Sequence, residues 1–113
     1  MSMLAIKAAC EPLRVATFPN ILTSYTAFGA PFSHPISMLK VDNHTDAAIK
    51  ISLDGVNDHF VIVSNGYLLW DIGSNKALGQ GLFLPEHMQI YIKAYGNITF
   101  GEAYLSVSYG SEY

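Results

Sequence analysis

Turn-forming residues punctuate the chain about every ten residues after position 35, a spacing typical of small β-sandwiches and barrels. Clusters of Gly, Asn, Asp and Ser separate short apolar runs, and no run keeps the period of an α-helix. The gaps between runs are short, which favours antiparallel hairpins. We therefore predict an all-β fold, an antiparallel β-sandwich of about seven to eight strands. The predicted strands are residues 36–41, 47–53, 60–63, 67–71, 82–84, 88–94, 98–100 and 103–109.

Alternation within these runs indicates which side chains form the core. In residues 47–53, Ile49 and Ile51 fall on one face of the strand and Lys50 on the other. Trp70 ends the apolar run of residues 68–70. We expect Ile51 and Trp70 to be core residues.

The first third of the chain has a different character. Prolines recur at positions 12, 19, 31 and 35, and proline removes a backbone donor and biases the preceding residue to extended geometry. We interpret residues 1–35 as an extended Pro-rich N-terminal arm and residues 36–113 as the β-sandwich domain. Within the arm, residues 3–9 are compatible with one or two helical turns or with a strand.

The arm carries too many large apolar side chains to be left in water. They are predicted to form an interface with a neighbouring subunit, which the arm would hold by burying apolar surface. Residues 22–28 have a second interpretation, as the first strand of the same sandwich. The predicted interface residues are Phe18, Ile21, Leu22, Tyr25, Phe28 and Phe32.

Charged residues make up 13% of the chain and apolar residues 50%, so the charged share is about half that of a usual soluble domain. Such a composition indicates a membrane segment or a surface buried against partners. No apolar run reaches the about 18 residues of a spanning helix, so burial against partners is favoured. The net charge is −3 and the six basic residues form no stripe, which argues against direct nucleic-acid binding. The single Cys10 cannot form an internal disulfide.

One loop places three oxygen-bearing side chains close together, at Asp54, Asn57 and Asp58. These side chains could chelate calcium, but the segment lacks the spacing of a twelve-residue calcium loop and its closing Glu. A tight turn explains it better, because Asp54-Gly55 supplies the positive φ that a hairpin needs. We therefore predict a turn formed by Asp54, Gly55, Asn57 and Asp58.

No pattern in the chain predicts catalysis or a cofactor. No two of the four histidines have the spacing of a metal-ligand pair, and no nucleophile motif or glycine-rich phosphate loop occurs. We predict no enzyme activity, no cofactor and no metal. Tyrosines on strands can instead form a sugar-binding platform or a protein interface. The aromatic residues considered for such a platform are Tyr67, Trp70, Tyr91, Tyr95, Tyr104, Tyr109 and Tyr113.

Several motifs between Tyr25 and Gly110 resemble those of small structural proteins of tailed bacteriophages. In that pattern a strand ends in an SxDGxxDH turn, and the chain finishes on an alternating strand that ends in Tyr-Gly. The resembling segments are Tyr25-Thr26-Ala27-Phe28-Gly29, His34-Pro35, Asp42-Asn43-His44-Thr45-Asp46, Ile51-Ser52-Leu53-Asp54-Gly55-Val56-Asn57-Asp58-His59, Leu69-Trp70-Asp71, Ser74-Asn75-Lys76, Gln89-Ile90-Tyr91-Ile92-Lys93 and Val107-Ser108-Tyr109-Gly110.

This resemblance implies a non-enzymatic structural component of the virion, placed on the capsid as a decoration or at the neck or tail. Its partners would be copies of itself and other virion proteins, with no direct contact to nucleic acid or membrane. It would be a homo-oligomer that is assembled in the host cytoplasm. The alternative from the residues themselves is a carbohydrate-binding β-sandwich module involved in host-surface adhesion.

Overall fold

A computed structural model describes residues 6–74, 76–77, 80–81 and 83–112. These residues form short strands and two 3-10 turns, Phe18–Asn20 and Ile72–Ser74, and no helix among them is long and apolar enough to cross a membrane. The prediction of an all-β sandwich is confirmed. The strands are β1 (Ile6–Cys10), β2 (Arg14–Thr17), β3 (Thr26–Ala27), β4 (Met38–Asn43), β5 (Ile49–Ser52), β6 (Phe60–Ile62), β7 (Tyr67–Asp71), β8 (Lys76–Ala77), β9 (Gln80–Gly81), β10 (Tyr91–Ala94) and β11 (Glu102–Glu112).

Two antiparallel sheets pack against each other. Sheet A has the order β1-β11-β4-β7, and β2 also pairs with β11. Sheet B has the order β3-β10-β5-β6, and β8 and β9 form a separate small hairpin. The last strand in sequence, β11, therefore lies inside sheet A, where Leu105 pairs with both Arg14 and Val41.

The core lies between the sheets and follows the alternation of the strands. Leu39 and Leu105 of sheet A face Ile51 and Ile92 of sheet B in one buried cluster. Ile51 is therefore a core residue, as predicted. Trp70 packs against the same cluster but is only half-buried, because β7 is an edge strand of sheet A.

The first 35 residues do not lie apart from the sandwich. β1 and β2 pair with β11, and β3 pairs with β10, so the segment contributes strands to both sheets. The prolines lie outside these strands and mark their ends, which is why they do not keep the segment out of the ladders. The alternative interpretation of residues 22–28 is nearer to the structure, since β3 falls within that range. Residues 1–5 of the predicted arm lie outside the described residues.

One predicted strand is replaced by a loop. At residues 98–100, Ile98 is buried, but the backbone N–H groups of Thr99 and Phe100 donate to the Asp46 carboxylate at 2.8 and 3.4 Å. A side chain therefore satisfies donors that a sheet ladder would otherwise use. Within the predicted strand at 82–84, residue 82 lies outside the described residues, and Leu84 forms an isolated bridge with Ile36.

Candidate interaction surfaces

The outer face of sheet A contains an apolar groove, which we name the sheet A groove. Its floor is formed on β11 by Ser106 and Ser108, whose short side chains leave space between larger neighbours. Its volume is about 380 Å³. The lining residues are Cys10, Glu11, Leu13, Met38, Lys40, Leu69, Ser106, Val107 and Ser108.

The walls of this groove are unusually apolar for a solvent-facing sheet. Leu13 and Leu69 are 55% and 54% exposed, and Met38 is also exposed. Val15 and Tyr67 extend the apolar surface on either side. The outer face of an antiparallel sheet normally carries polar side chains, and contiguous exposed apolar surface marks a binding site. The sheet A groove is therefore the strongest candidate for a contact surface.

A second apolar surface lies at the end of the sandwich where β11 begins. We name it the end patch, and it is formed by exposed side chains from the loops after β2 and β10. Phe18 N donates to Gly101 O at 2.9 Å and so joins the two loops, and Ala94 N at the end of β10 donates to Leu22 O at 2.8 Å. The exposed side chains of the end patch are Phe18, Leu22, Tyr95 and Phe100.

The end patch carries a negative charge close to Phe100. Asp46 accepts hydrogen bonds from the Thr99 hydroxyl, Thr99 N and Phe100 N, and these bonds lower the pKa of its carboxyl group. Asp46 therefore stays ionised beside the exposed ring. Gly101 allows the loop to approach this closely: its φ is +107°, and a Cβ there would lie 2.2 Å from the His44 carbonyl oxygen.

The outer face of sheet B is organised around Asp58. Its carboxylate accepts a hydrogen bond from the Tyr25 hydroxyl at 2.5 Å and lies 2.8 Å from Lys50 Nζ and 3.2 Å from Lys93 Nζ. The bonds from Lys50 and Tyr25 lower the pKa of Asp58, while burial and the bond to Asp58 raise the pKa of Tyr25. The ammonium groups of Lys50 and Lys93 also lie 4.0 and 4.5 Å from the ring centroids of Tyr95 and Tyr25. The charges of Asp58, Lys50 and Lys93 on this surface are therefore paired within the chain.

A buried ion pair lies beneath one wall of the sheet A groove. Glu11 accepts from Arg14 Nη2 at 2.8 Å and from Ser33 N at 2.9 Å, and its carboxylate is 2.8 Å from His34 Nδ1. Burial alone would raise the pKa of Glu11, but these bonds outweigh it and lower the pKa. The His34 ring stacks on the Tyr109 ring, with 3.7 Å between the ring centroids. The network ties the β1–β2 connection to the loop before β4 and to β11.

The six residues predicted to form one interface are divided among three environments. Ile21, Phe28 and Phe32 are buried in the core of the chain itself, so they are not available to a neighbour. Tyr25 is half-buried and bound to Asp58. Phe18 and Leu22 remain exposed, in the end patch.

The structure also shows a surface that the sequence analysis missed, the sheet A groove. The available signal was the pair Leu68-Leu69 in β7, where an apolar residue follows an apolar residue and one of the two must face outward.

The predicted turn is built around Asp54. Its Oδ1 accepts from Val56 N and Asn57 N, both at 2.8 Å, and its Oδ2 accepts from Asn57 Nδ2. Gly55 has a φ of +79°, the left-handed conformation that the turn interpretation requires. The Asp58 carboxylate instead contacts Lys50 Nζ and Lys93 Nζ on sheet B. Within the described residues, no three His, Cys, Asp or Glu side chains form a group able to hold a metal ion.

The tyrosines considered for a sugar platform lie on different surfaces. Tyr67 flanks the sheet A groove, Tyr95 belongs to the end patch, and Tyr109 is stacked on His34. Tyr113 lies outside the described residues. The resemblance to phage structural proteins stays a prediction that rests on the motifs quoted above. Comparison of the chain with known protein families, with curated proteins and with solved structures found no match.

Proposed function

We propose that this protein is a non-enzymatic structural subunit of a tailed-phage virion, which assembles on the capsid or at the neck or tail through protein–protein contacts. The observation that carries the proposal is the exposed apolar outer face of sheet A, with Leu13, Met38 and Leu69 around a groove floored by serines. Burying such a surface against a partner is favourable by about 25 cal/mol per Å² of apolar area.

The outer face of sheet B supports this proposal by contrast. Lys50, Lys93 and Tyr25 all contact Asp58, so that surface is already satisfied in water. The outer face of sheet A also holds an ion pair, between Lys40 and Asp42 at 3.6 Å. It differs from the outer face of sheet B in that several exposed apolar side chains line one groove. This asymmetry is expected of a subunit with one face toward solvent and one toward a partner.

The carbohydrate-binding alternative has a weaker basis. Tyr25 and Tyr95 lie on or near the outer face of sheet B, but a lysine ammonium group lies over each ring, 4.5 and 4.0 Å from the centroids. A sugar that stacked on those ring faces would have to displace the ammonium groups. Binding on a glycan array by the protein, lost on Tyr95→Ala, would favour adhesion over assembly.

The proposal is tested by the composition of purified virions. Particles banded on a density gradient should contain the protein in many copies. Leu69→Asp should fold but be absent from the particles, because it places a charge in the apolar wall of the groove. Val61→Asp is the matched control: Val61 is 52% exposed on the outer face of edge strand β6, and Leu69 is 54% exposed on edge strand β7. Virions that lack the parent protein, or that incorporate Leu69→Asp as well as Val61→Asp, would contradict the proposal.

A further inference from the structure

We propose that the sheet A groove of one copy receives the end patch of a second copy, so that subunits join head to tail. This inference rests on the proposed function and names the partner of the groove. The contact is heterologous, since it joins two different surfaces of the chain, and repetition produces a ring if the rotation closes and a filament if it does not.

Phe100 of the end patch suits the sheet A groove in size and polarity. Phe100 is 64% exposed and projects from a loop held by Asp46 and Gly101. The groove offers about 380 Å³ between apolar walls, space for a side chain of that size above the short Ser106 and Ser108 side chains. Large side chains that fill well-packed, desolvated pockets contribute most of the binding energy of many interfaces.

The charges at the two surfaces are of opposite sign. Lys40 lines the groove, and its ammonium group lies 3.6 Å from Asp42 Oδ1 and 5.4 Å from the centroid of the Tyr67 ring. Asp46, beside Phe100, is held as a carboxylate by Thr99 and by the backbone of Phe100. Docking Phe100 into the groove therefore brings an anion toward a cation, whereas two grooves facing each other would bring Lys40 toward a second Lys40. This complementarity favours the end patch over a second groove as the occupant.

The size of the end patch is adequate for a specific contact. A stable interface buries about 800 Å² on each partner, and one aromatic side chain buries about 150–250 Å². Phe100 alone is too small, but Phe18 and Leu22 are also exposed, and the Phe18 N to Gly101 O bond brings the loop that carries them next to Phe100.

A single copy cannot satisfy its own groove. The end patch adjoins Gly101, before the start of β11, while the groove floor is at Ser106 and Ser108 of the same strand. A strand rises about 3.3 Å per residue, which separates the two sites by about 17 Å along a rigid element. An end patch that docks in this groove therefore comes from another copy of the chain.

The test uses complementation between two variants. Phe100→Asp removes the anchor but keeps the groove, and Leu69→Asp removes the groove wall but keeps the anchor. In sedimentation velocity over a concentration series, the parent should form oligomers and each variant should be monomeric. An equimolar mixture of the two variants should form dimers and stop there, because only one intact contact can be made. Val61→Asp, on the outer face of sheet B, should assemble like the parent.

Other outcomes overturn the inference. A parent chain that stays monomeric in sedimentation would overturn it. In that case the proposed function would still stand if purified virions contained many copies of the protein. Phe100→Asp that assembles normally while Leu69→Asp does not would indicate a symmetric groove-to-groove contact. A mixture that stays monomeric would also overturn it. If either variant fails to fold by circular dichroism, Phe18→Asp replaces Phe100→Asp and Leu13→Asp replaces Leu69→Asp, with the same expected complementation.

Discussion

The outer faces of the two sheets differ in the side chains that they expose to water. On sheet B, Asp58 gathers Lys50, Lys93 and Tyr25 into one network of hydrogen bonds and ion pairs. On sheet A, the corresponding surface is a groove walled by Leu13 and Leu69. Both sheets carry inward apolar side chains of the same kind, so the core does not explain the difference.

The exposed apolar residues of this low-charge chain are arranged differently on the two outer faces. Leu69 and Val61 are almost equally exposed, at 54% and 52%, and both lie on edge strands. Val61 pairs with Lys50 of the charged network, and it and Val63 are exposed apolar side chains of a kind that is normal on protein surfaces. Leu69 belongs to a contiguous apolar surface, which indicates contact with a partner.

The largest expected effect comes from breaking the ion pair beneath the groove. Glu11→Ala should lower the free energy of unfolding by about 3–5 kcal/mol, because it leaves the Arg14 guanidinium buried without its carboxylate. Unfolding would also remove the groove. Among the described residues, sheet B has no equivalent buried charge. Urea denaturation of the parent and the variant measures the difference.

A double variant checks the cause of that loss. Glu11→Leu combined with Arg14→Met removes both charges with similar volume and should recover most of the stability. A Glu11→Ala protein that unfolds at the same urea concentration as the parent would show that the pair contributes nothing.

The next effect concerns the loop that presents Asp58 to sheet B. Gly55→Val should cost about 1–3 kcal/mol, because a β-branched residue is strained at positive φ. Its Cβ would also lie 3.2 Å from the Tyr91 ring. Gly55→Asn is the control, since Asn tolerates the left-handed conformation and should lose less. Equal melting temperatures for the Val and Asn variants would rule out backbone strain as the cause.

A smaller effect is expected from acid, and it separates the two outer faces. The pKa of Asp58 is lowered from its ordinary value of 3.8, so below that pH the unfolded chain takes up a proton that the folded chain does not. The stability that Asp58 contributes is therefore present above that pH and is lost as the pH falls further.

Asp58→Asn should reduce this acid sensitivity, measured as the change in melting temperature between neutral pH and about pH 2. Part of the sensitivity should remain, because the pKa values of Glu11, Asp46 and Asp54 are also lowered. A variant as acid-sensitive as the parent would show that the Asp58 network does not stabilise sheet B.

The smallest effect on stability is expected from the two edge strands themselves. Leu69→Thr and Val61→Thr should each change the free energy of unfolding by no more than about 0.5 kcal/mol, as surface substitutions usually do. Threonine keeps the strand preference of the site. The two variants should differ in assembly, since only Leu69→Thr weakens the groove. Equal oligomer distributions for both would remove the distinction between the two faces.

Local pattern in the sequence was sufficient for several of the strands after residue 35 and for the turn at Gly55. The alternation around Ile51 identified a core residue, and residues 67–71 were predicted with the bounds of β7. Such features depend on side-chain direction and backbone conformation within a few residues, and the local sequence determines both.

Only the tertiary structure decided how the strands are combined. The first third of the chain was predicted to dock on a neighbour, but β1 and β2 pair with β11, which follows them by about 85 to 106 residues in sequence. The same pairing places the small Ser106 and Ser108 between larger neighbours and so creates the groove. An apolar strand is equally suited to its own sheet and to a partner's, because the hydrophobic effect is non-directional. Long-range pairing and register decide between them, and local sequence carries neither.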